Sequence, residues 1–231
     1  MSASLYGKKS RSFLQKLSIT FIELLLIALS VWIMFGDGQT LISNLFGWPV
    51  YETPPARRWI ILGFSLVVLA RMAFTMFYLM KRTIPWPEVI SVPAAFALYY
   101  VGFAILVLPA NTPVGFWDWL AIAIYFFGSW LNTASEFQRN KFKALQKNKG
   151  KLYTQGLFAH SMHINFFGDI LWVLAYAIAT HNPWSALIVI FITLFFMFIN
   201  VPMLDTYLAD RYGQDFVDYA KRTKQLIPFI W

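Results

Sequence analysis

The 231-residue chain is 58% apolar, 19% aromatic and only 13% charged, with a mean hydropathy of +0.56. Soluble domains run at roughly 45–50% apolar and about 25% charged, so too little polar surface exists to coat a water-soluble particle, and the excess apolar area must face lipid. Zero cysteines exclude disulfide frameworks, thiolate metal sites, cysteine nucleophiles and iron–sulfur clusters.

A hydrocarbon core of about 30 Å needs about 20 mostly apolar residues per helix. Six stretches qualify in chain order: Leu17–Phe35, Trp59–Met80, Ile90–Pro109, Phe116–Ser135, Asn165–Thr180 and Ser185–Leu204. The fifth is short, carries Asp169 near its start, and is compatible with a beginning near Gly156. Strands would leave backbone groups unpaired in lipid, so the expected fold class is all-α, a polytopic membrane helical bundle of six spans. The segment from Lys9 to Leu14 is distantly similar to a twin-arginine export signal but lacks the second arginine, and no small-residue cleavage site follows. The first span is therefore expected to be retained. Past the sixth span, Tyr207, Leu208, Tyr212, Phe216 and Tyr219 recur at helical spacing and predict one amphipathic helix over Asp205–Lys221.

The formal charge of +8 is compatible with nucleic-acid binding or with membrane topology. Sixteen of the nineteen basic residues fall on the N-terminus, the second-to-third connection, the fourth-to-fifth connection and the C-terminal tail. Arg57 and Arg58 stand alone on the other side, and Arg71 lies within a span. The positive-inside bias then places both termini in the cytoplasm, as in a bacterial inner-membrane or endoplasmic-reticulum protein. The charge is a topology signal, and nucleic acid is not an expected partner. The loop Gly36–Arg58, with Pro49, Pro54 and Pro55, belongs to the opposite side.

Ionisable groups inside spans mark function by default. Glu23 lies about 9 Å and Arg71 about 15 Å below the inner boundary at 1.5 Å per residue; they are either a buried ion pair that fixes helix packing or a proton donor and substrate anchor. Asn132 and Glu136, spaced i, i+4, share a face where the fourth span leaves the membrane, and Lys143 follows two turns later. Asn165 and Asp169 repeat the spacing at the start of the fifth span, and Gly168 permits close helix approach. Such pairs flanked by cations suit a large ligand with hydroxyls, an amide and phosphates; singly, each also reads as interfacial solvation or capping. His160, His163 and His181 are the only histidines, and His181 belongs to the opposite side, so no metal site is expected. No glycine-rich dinucleotide, phosphate-loop or nucleophile-elbow motif is present.

The run Gly156-Leu-Phe-Ala-His-Ser-Met-His-Ile-Asn-Phe-Phe-Gly-Asp169 resembles the "GLF/GLW…RHPNYFGE" signature of membrane-embedded steroid 5α-reductases and sterol reductases. The terminal Leu226-Ile-Pro-Phe-Ile-Trp231 is similar to their "IPFIF/IPYIY" end, and Arg211-Tyr-Gly…Tyr219-Ala-Lys-Arg222 to their cytoplasmic tail. Lys81-Arg82-Thr-Ile-Pro85-Trp-Pro87 resembles their "NRGRPYP" loop, and Asn132-xxx-Glu136 an "NxxxD" helix end. The resemblance covers about residues 81–231.

It implies a monomeric all-helical enzyme in one transmembrane domain, with residues 1–80 as a substrate and catalytic half and 81–231 as a cofactor half. NADPH would pass hydride to the β-carbon of an enone or related alkene in a lipid-like substrate within membrane lipid. The motifs assign cofactor contacts to Arg82, Asn132, Glu136, Lys143, Tyr153, His163, Asn165, Asp169, Tyr207 and Arg222. Glu23 matches the family's catalytic glutamate by depth, with Arg71 at the depth of its partner tyrosine; Tyr78, Tyr99 and Tyr100 are substitutes for that tyrosine, Tyr99 being the one assigned. The departures are Met162 and Ile164 in place of the "RHP" arginine and proline, Ile84 in place of the loop's second arginine, and six spans where the family has seven. Isoprenylcysteine and phospholipid methyltransferases, which bind S-adenosylmethionine, share a similar helix start and tail and are the alternative. A small transporter is the non-enzymatic alternative.

Overall fold

The computed structural model describes residues 11–51 and 55–231; Lys8, Lys9 and Pro54 lie outside the described residues. Every regular segment among those residues is helical, so the all-α membrane expectation holds. Helix α1 is Phe13–Phe35, α2 Gly38–Phe46, α3 Ala56–Phe74, α4 Trp86–Ala97, α5 Phe103–Leu106 and α6 Phe116–Ala144. Helix α7 is Ile164–Thr180, α8 Ala186–Phe195, α9 Val201–Tyr212 and α10 Gln214–Arg222. π-Helical turns at Thr75–Leu79, Leu98–Gly102 and Phe196–Asn200 extend or join these helices. Pro202, at the start of α9, has no N–H for the ladder, and the last of those turns lies just before it.

Four helices are long and apolar enough to cross a membrane: Phe13–Phe35, Ala56–Leu79, Trp86–Leu106 and Pro183–Tyr212, with Ile164–Thr180 a shorter apolar one. Of the remaining expected span, α6 has the length, 29 residues, but Asp118, Asn132 and three tryptophans dilute its apolar character. The fifth span does not begin at Gly156, because Gly156–Ala159 forms a separate 3-10 turn before α7. The amphipathic stretch Asp205–Lys221 is also divided. Its first part continues the sixth span as α9, and Gly213, at φ +52°, breaks it from α10. Left-handed backbone of that kind favours glycine.

The chain forms two compact units that interleave in sequence: Met1–Ala123 with Val173–Ile188, and Ile124–Trp172 with Val189–Trp231. In the first unit, α1 buries a stripe at helical spacing that includes Lys16, Ile19, Glu23, Ile27 and Ser30, while Leu24, Leu25 and Leu29 are exposed. Polar groups face protein and leucines face outward, the arrangement a lipid solvent selects. Ile19 packs with Met76, Ile84 and Val89, and Lys16 Nζ donates to the Met80 carbonyl at 3.0 Å. Tyr176 stacks on Phe103 at 4.9 Å and donates to Ser65 Oγ at 3.1 Å.

The far end of this unit is held by two buried arginines. Arg57 Nε and Nη2 donate to the Asp118 carboxylate at 2.7 and 2.9 Å, and its Nη1 and Nη2 also donate to the Thr112 and Pro113 carbonyls. Arg58 donates to the Met34 carbonyl at 2.6 Å, to Gln39 and to the Leu108 carbonyl. A cation at the last turn of α1 meets the negative end of that helix's dipole.

In the second unit the crossing of α6 and α7 is set by two glycines. A Cβ on Gly128 would lie 2.7 Å from the Gly168 carbonyl oxygen, and one on Gly168 would lie 2.7 Å from the Asn132 nitrogen. Leu131, Phe158 and Ile164 fill the space beside the crossing. The C-terminal tail closes onto the start of α7: Met162 and His163 N–H groups donate to the Lys224 and Gln225 carbonyls at 2.8 and 3.0 Å, and Ser161 Oγ donates to the Leu226 carbonyl.

Candidate functional site

The glycine crossing brings together the two Asn/carboxylate pairs expected from i, i+4 spacing. Asn132 Nδ2 donates to Asp169 Oδ1 at 2.9 Å and to the Asn165 carbonyl at 3.2 Å. Asn165 Nδ2 donates to Glu136 Oε1 at 3.1 Å, and Trp172 Nε1 to Asp169 Oδ1 at 2.7 Å. The pairs therefore interlock across helices. Asn165 is 92% buried, yet its Oδ1 has no hydrogen-bond partner. A buried amide oxygen left unpaired costs roughly 1–3 kcal/mol, so this acceptor has capacity for one more donor.

Cations gather beside the pairs. Glu136 pairs with Arg139, whose guanidinium lies over the Phe158 ring at 5.4 Å. Arg211 on α9 hydrogen-bonds Tyr207 and lies over the Tyr207 and Tyr212 rings at 5.8 and 5.6 Å. Lys143 is open to solvent, but surrounding protein atoms displace part of its hydration. That loss, with the like charges of Arg139 and Arg211 and against the attraction of Glu136, brings its ammonium down to about 8. Lys143 thus feels two cations and one carboxylate.

The other expected cofactor residues divide. Tyr153 packs against Phe142 at 4.9 Å and Phe158 at 5.7 Å, and burial raises its phenol above the ordinary range. Gly156, at φ +61°, lets the chain turn there, and Leu157 N–H donates to Gln138 Oε1 at 3.0 Å. His163 is 1% exposed and contacts Asp205 Oδ1 through Nε2 at 2.7 Å; Gln225 donates to the other Asp205 oxygen. That network ties the tail to the start of α7. Arg222 is exposed at the end of α10, close enough to Tyr219 to influence its phenol. Tyr219 donates to the Phe158 carbonyl at 2.5 Å, and burial holds its phenol well above the usual range. Arg82 belongs to the first unit, where Glu88 takes its guanidinium in a bidentate pair at 2.6 and 2.8 Å. The cofactor contact expected of Arg82 thus falls on a guanidinium that already has a carboxylate partner.

The expected catalytic residues lie in the first unit. Glu23 is fully buried, and neither carboxylate oxygen has a hydrogen-bond partner among the described residues, so the ion pair with Arg71 weighed from depth is not made. Arg71 is half-buried on α3. Tyr99 is 5% exposed in the π-helical turn Leu98–Gly102, which packs on α1, and its ring meets Phe96 edge-on. Sequence reasoning missed Arg139 and Arg211, which it absorbed into the topology count, and Gly128, whose partner Gly168 was the available signal.

Fold and site define an all-helical membrane protein with a polar, cation-flanked cluster of side chains where α6 and α7 cross. A family model described as protein of unknown function (DUF1295) matches residues 89–223, more than half of the chain, and the protein belongs to that family. It is also similar to Protein-S-isoprenylcysteine O-methyltransferase B of Arabidopsis thaliana, 26% identical over 98 residues, which are 42% of this chain and 50% of that protein. The chain thus matches about half the length of that curated relative.

Proposed function

We propose that the protein is a membrane-bound oxidoreductase that uses NADPH to reduce an enone or alkene in a lipid-like substrate, with both termini cytoplasmic. The observation that carries the cofactor assignment is the excess of cations near Lys143, where Arg139 and Arg211 stand against Glu136, together with an interlocked Asn/carboxylate set with one unpaired buried acceptor. Like charges held together favour a ligand with several negative charges, which NADPH has and S-adenosylmethionine, with its single carboxylate, lacks.

Asn132, Glu136, Asn165 and Asp169 would accept and donate to ribose and amide groups, and Lys143 and Arg211 would hold phosphate. When bound, NADPH supplies a hydride. Glu23 gives the proton that completes addition across the double bond, a role supported by its complete burial and unpartnered oxygens. Tyr99 and Arg71 are assigned to orient the substrate beside it.

A second reading is an S-adenosylmethionine-dependent membrane methyltransferase, supported by the similarity to the Arabidopsis enzyme. Thermal unfolding of the purified protein with each cosubstrate separates the two. NADPH should raise the transition temperature and S-adenosylmethionine leave it unchanged; the reverse result ends the reductase reading. Glu23→Gln should bind NADPH normally but lose turnover, and unchanged turnover removes Glu23 from the reaction.

A further inference from the structure

At the end of the first unit where Arg57 and Asp118 pair, one partly exposed ring nitrogen is left over. Asp118 is 0% exposed, and its oxygens receive Arg57 twice and the Gly115 N–H at 2.8 Å. His181 Nε2 lies 3.3 Å from the same carboxylate. His181 follows the last residue of α7 at φ +50°, left-handed backbone that histidine adopts more readily than bulky residues. With Nε2 toward Asp118, Nδ1 remains without a partner among the described residues.

His181 lines an open pocket of about 280 Å³ whose other walls are Trp117, Ala177, Ile178, Asn182 and Pro183. Asn182 is already used: its Nδ2 donates to the Leu106 carbonyl at 2.9 Å and its Oδ1 accepts from Trp184 N–H. The pocket therefore offers apolar walls and one imidazole nitrogen. Around it Trp59, Phe116, Trp117, Trp119 and Trp184 are all at least 58% exposed. Exposed aromatics gathered at one end of apolar helices mark the depth where lipid headgroups begin.

We infer that this pocket is a second ligand site, for a membrane lipid whose head is an uncharged hydroxyl. Among the described residues no arginine, lysine or carboxylate lines the pocket, so no charged side chain there calls for an ionic head. A hydroxyl both donates and accepts, so it can meet an imidazole nitrogen in either tautomer. Its chain would lie along Trp117 and Ile178. The inference stands apart from the reductase reading, because it uses neither the α6–α7 crossing nor Glu23.

The test uses the full chain in phosphatidylcholine nanodiscs and a long-chain alkanol with a diazirine near its hydroxyl. Irradiation should label the peptides carrying Trp117 and His181, saturably, with competition by hexadecanol but not by hexadecane. His181→Ala should cut labelling roughly fivefold, the scale of one net hydrogen bond. His181→Asn tolerates the left-handed backbone and keeps a polar side chain beside Asp118, so it serves if the alanine variant fails to fold; it should lower labelling as well. Equal competition by hexadecane, better competition by hexadecyl phosphate, or unchanged labelling in both variants overturns the proposal.

Discussion

Two charge clusters in this molecule have opposite character. Arg57 and Asp118 are 1% and 0% exposed, and the carboxylate and the guanidinium nitrogens have their partners supplied by the fold. At the α6–α7 crossing, Asn165 Oδ1 is buried without a partner and cations outnumber carboxylates around Lys143. Both contain charge that a membrane chain retains only for a reason. The difference is satisfaction: the closed cluster has spent its hydrogen bonds on holding helix ends together, whereas the open one has capacity left for a ligand.

The largest expected effect breaks the closed cluster. Arg57→Met leaves Asp118 as an uncompensated buried charge and should destabilise the protein by about 3–5 kcal/mol. Thermal unfolding in detergent would register this as a large fall in the transition temperature. The paired change Arg57→Met with Asp118→Leu should recover much of the loss, since no charge is then stranded. By contrast, Asn165→Ala should weaken NADPH binding with little change in unfolding. If Arg57→Met unfolds like the parent protein, satisfaction does not separate the two clusters.

A smaller effect is expected at the crossing that assembles the open cluster. Gly168→Ala puts a Cβ 2.7 Å from the Asn132 nitrogen and the Gly128 carbonyl oxygen, backbone atoms that move only with their helix. Overpacking of this kind costs about 1–3 kcal/mol. Because Asn132 and Asp169 flank the contact, NADPH affinity should fall along with stability. An alanine variant that keeps full affinity would show that the Asn132–Asp169 hydrogen bond is not needed for binding.

These contrasts also mark what the sequence could and could not disclose. Apolar spans were legible because lipid imposes its demand on every window of about 20 residues. The Asn132–Glu136 and Asn165–Asp169 faces were legible because i, i+4 spacing is local. That the two faces meet depends on the register of α6 against α7, a property of two helices together. Gly168 signalled a close approach but not that Gly128 receives it. Arg57 and Arg58 counted only as residual outside charge, because their partners at Asp118, Thr112, Met34 and Leu108 are 24 to 61 residues away. The motif resemblance made Arg82 a cofactor contact without showing its partner Glu88, six residues on and on the first turn of α4. The helix Gly38–Phe46 was read as plain loop because its nine residues fall below the length a span needs.

The finest test of the comparison is a proton count. Lys143 sits at about 8 in the folded protein against 10.5 for a free lysine, through lost hydration and the charges of Arg139 and Arg211. Between those two values the unfolded chain holds the proton more tightly, so this lysine opposes folding at lower pH. That opposition is relieved as pH rises from 8 to 10.5. A bound phosphate reverses the balance, since its negative charge favours the ammonium. NADPH binding near pH 8 should then take up protons, and affinity should fall as pH rises from 7 to 9, by up to roughly tenfold. Calorimetry in two buffers of different ionisation enthalpy measures the uptake directly. Lys143→Arg, charged throughout this range, should keep the affinity at pH 7 and remove both the uptake and the slope. Lys143→Met should lose affinity at pH 7 and show no slope. If Lys143→Arg retains the slope of the parent protein, the titrating group lies elsewhere and the cation excess at this crossing does not select the cofactor.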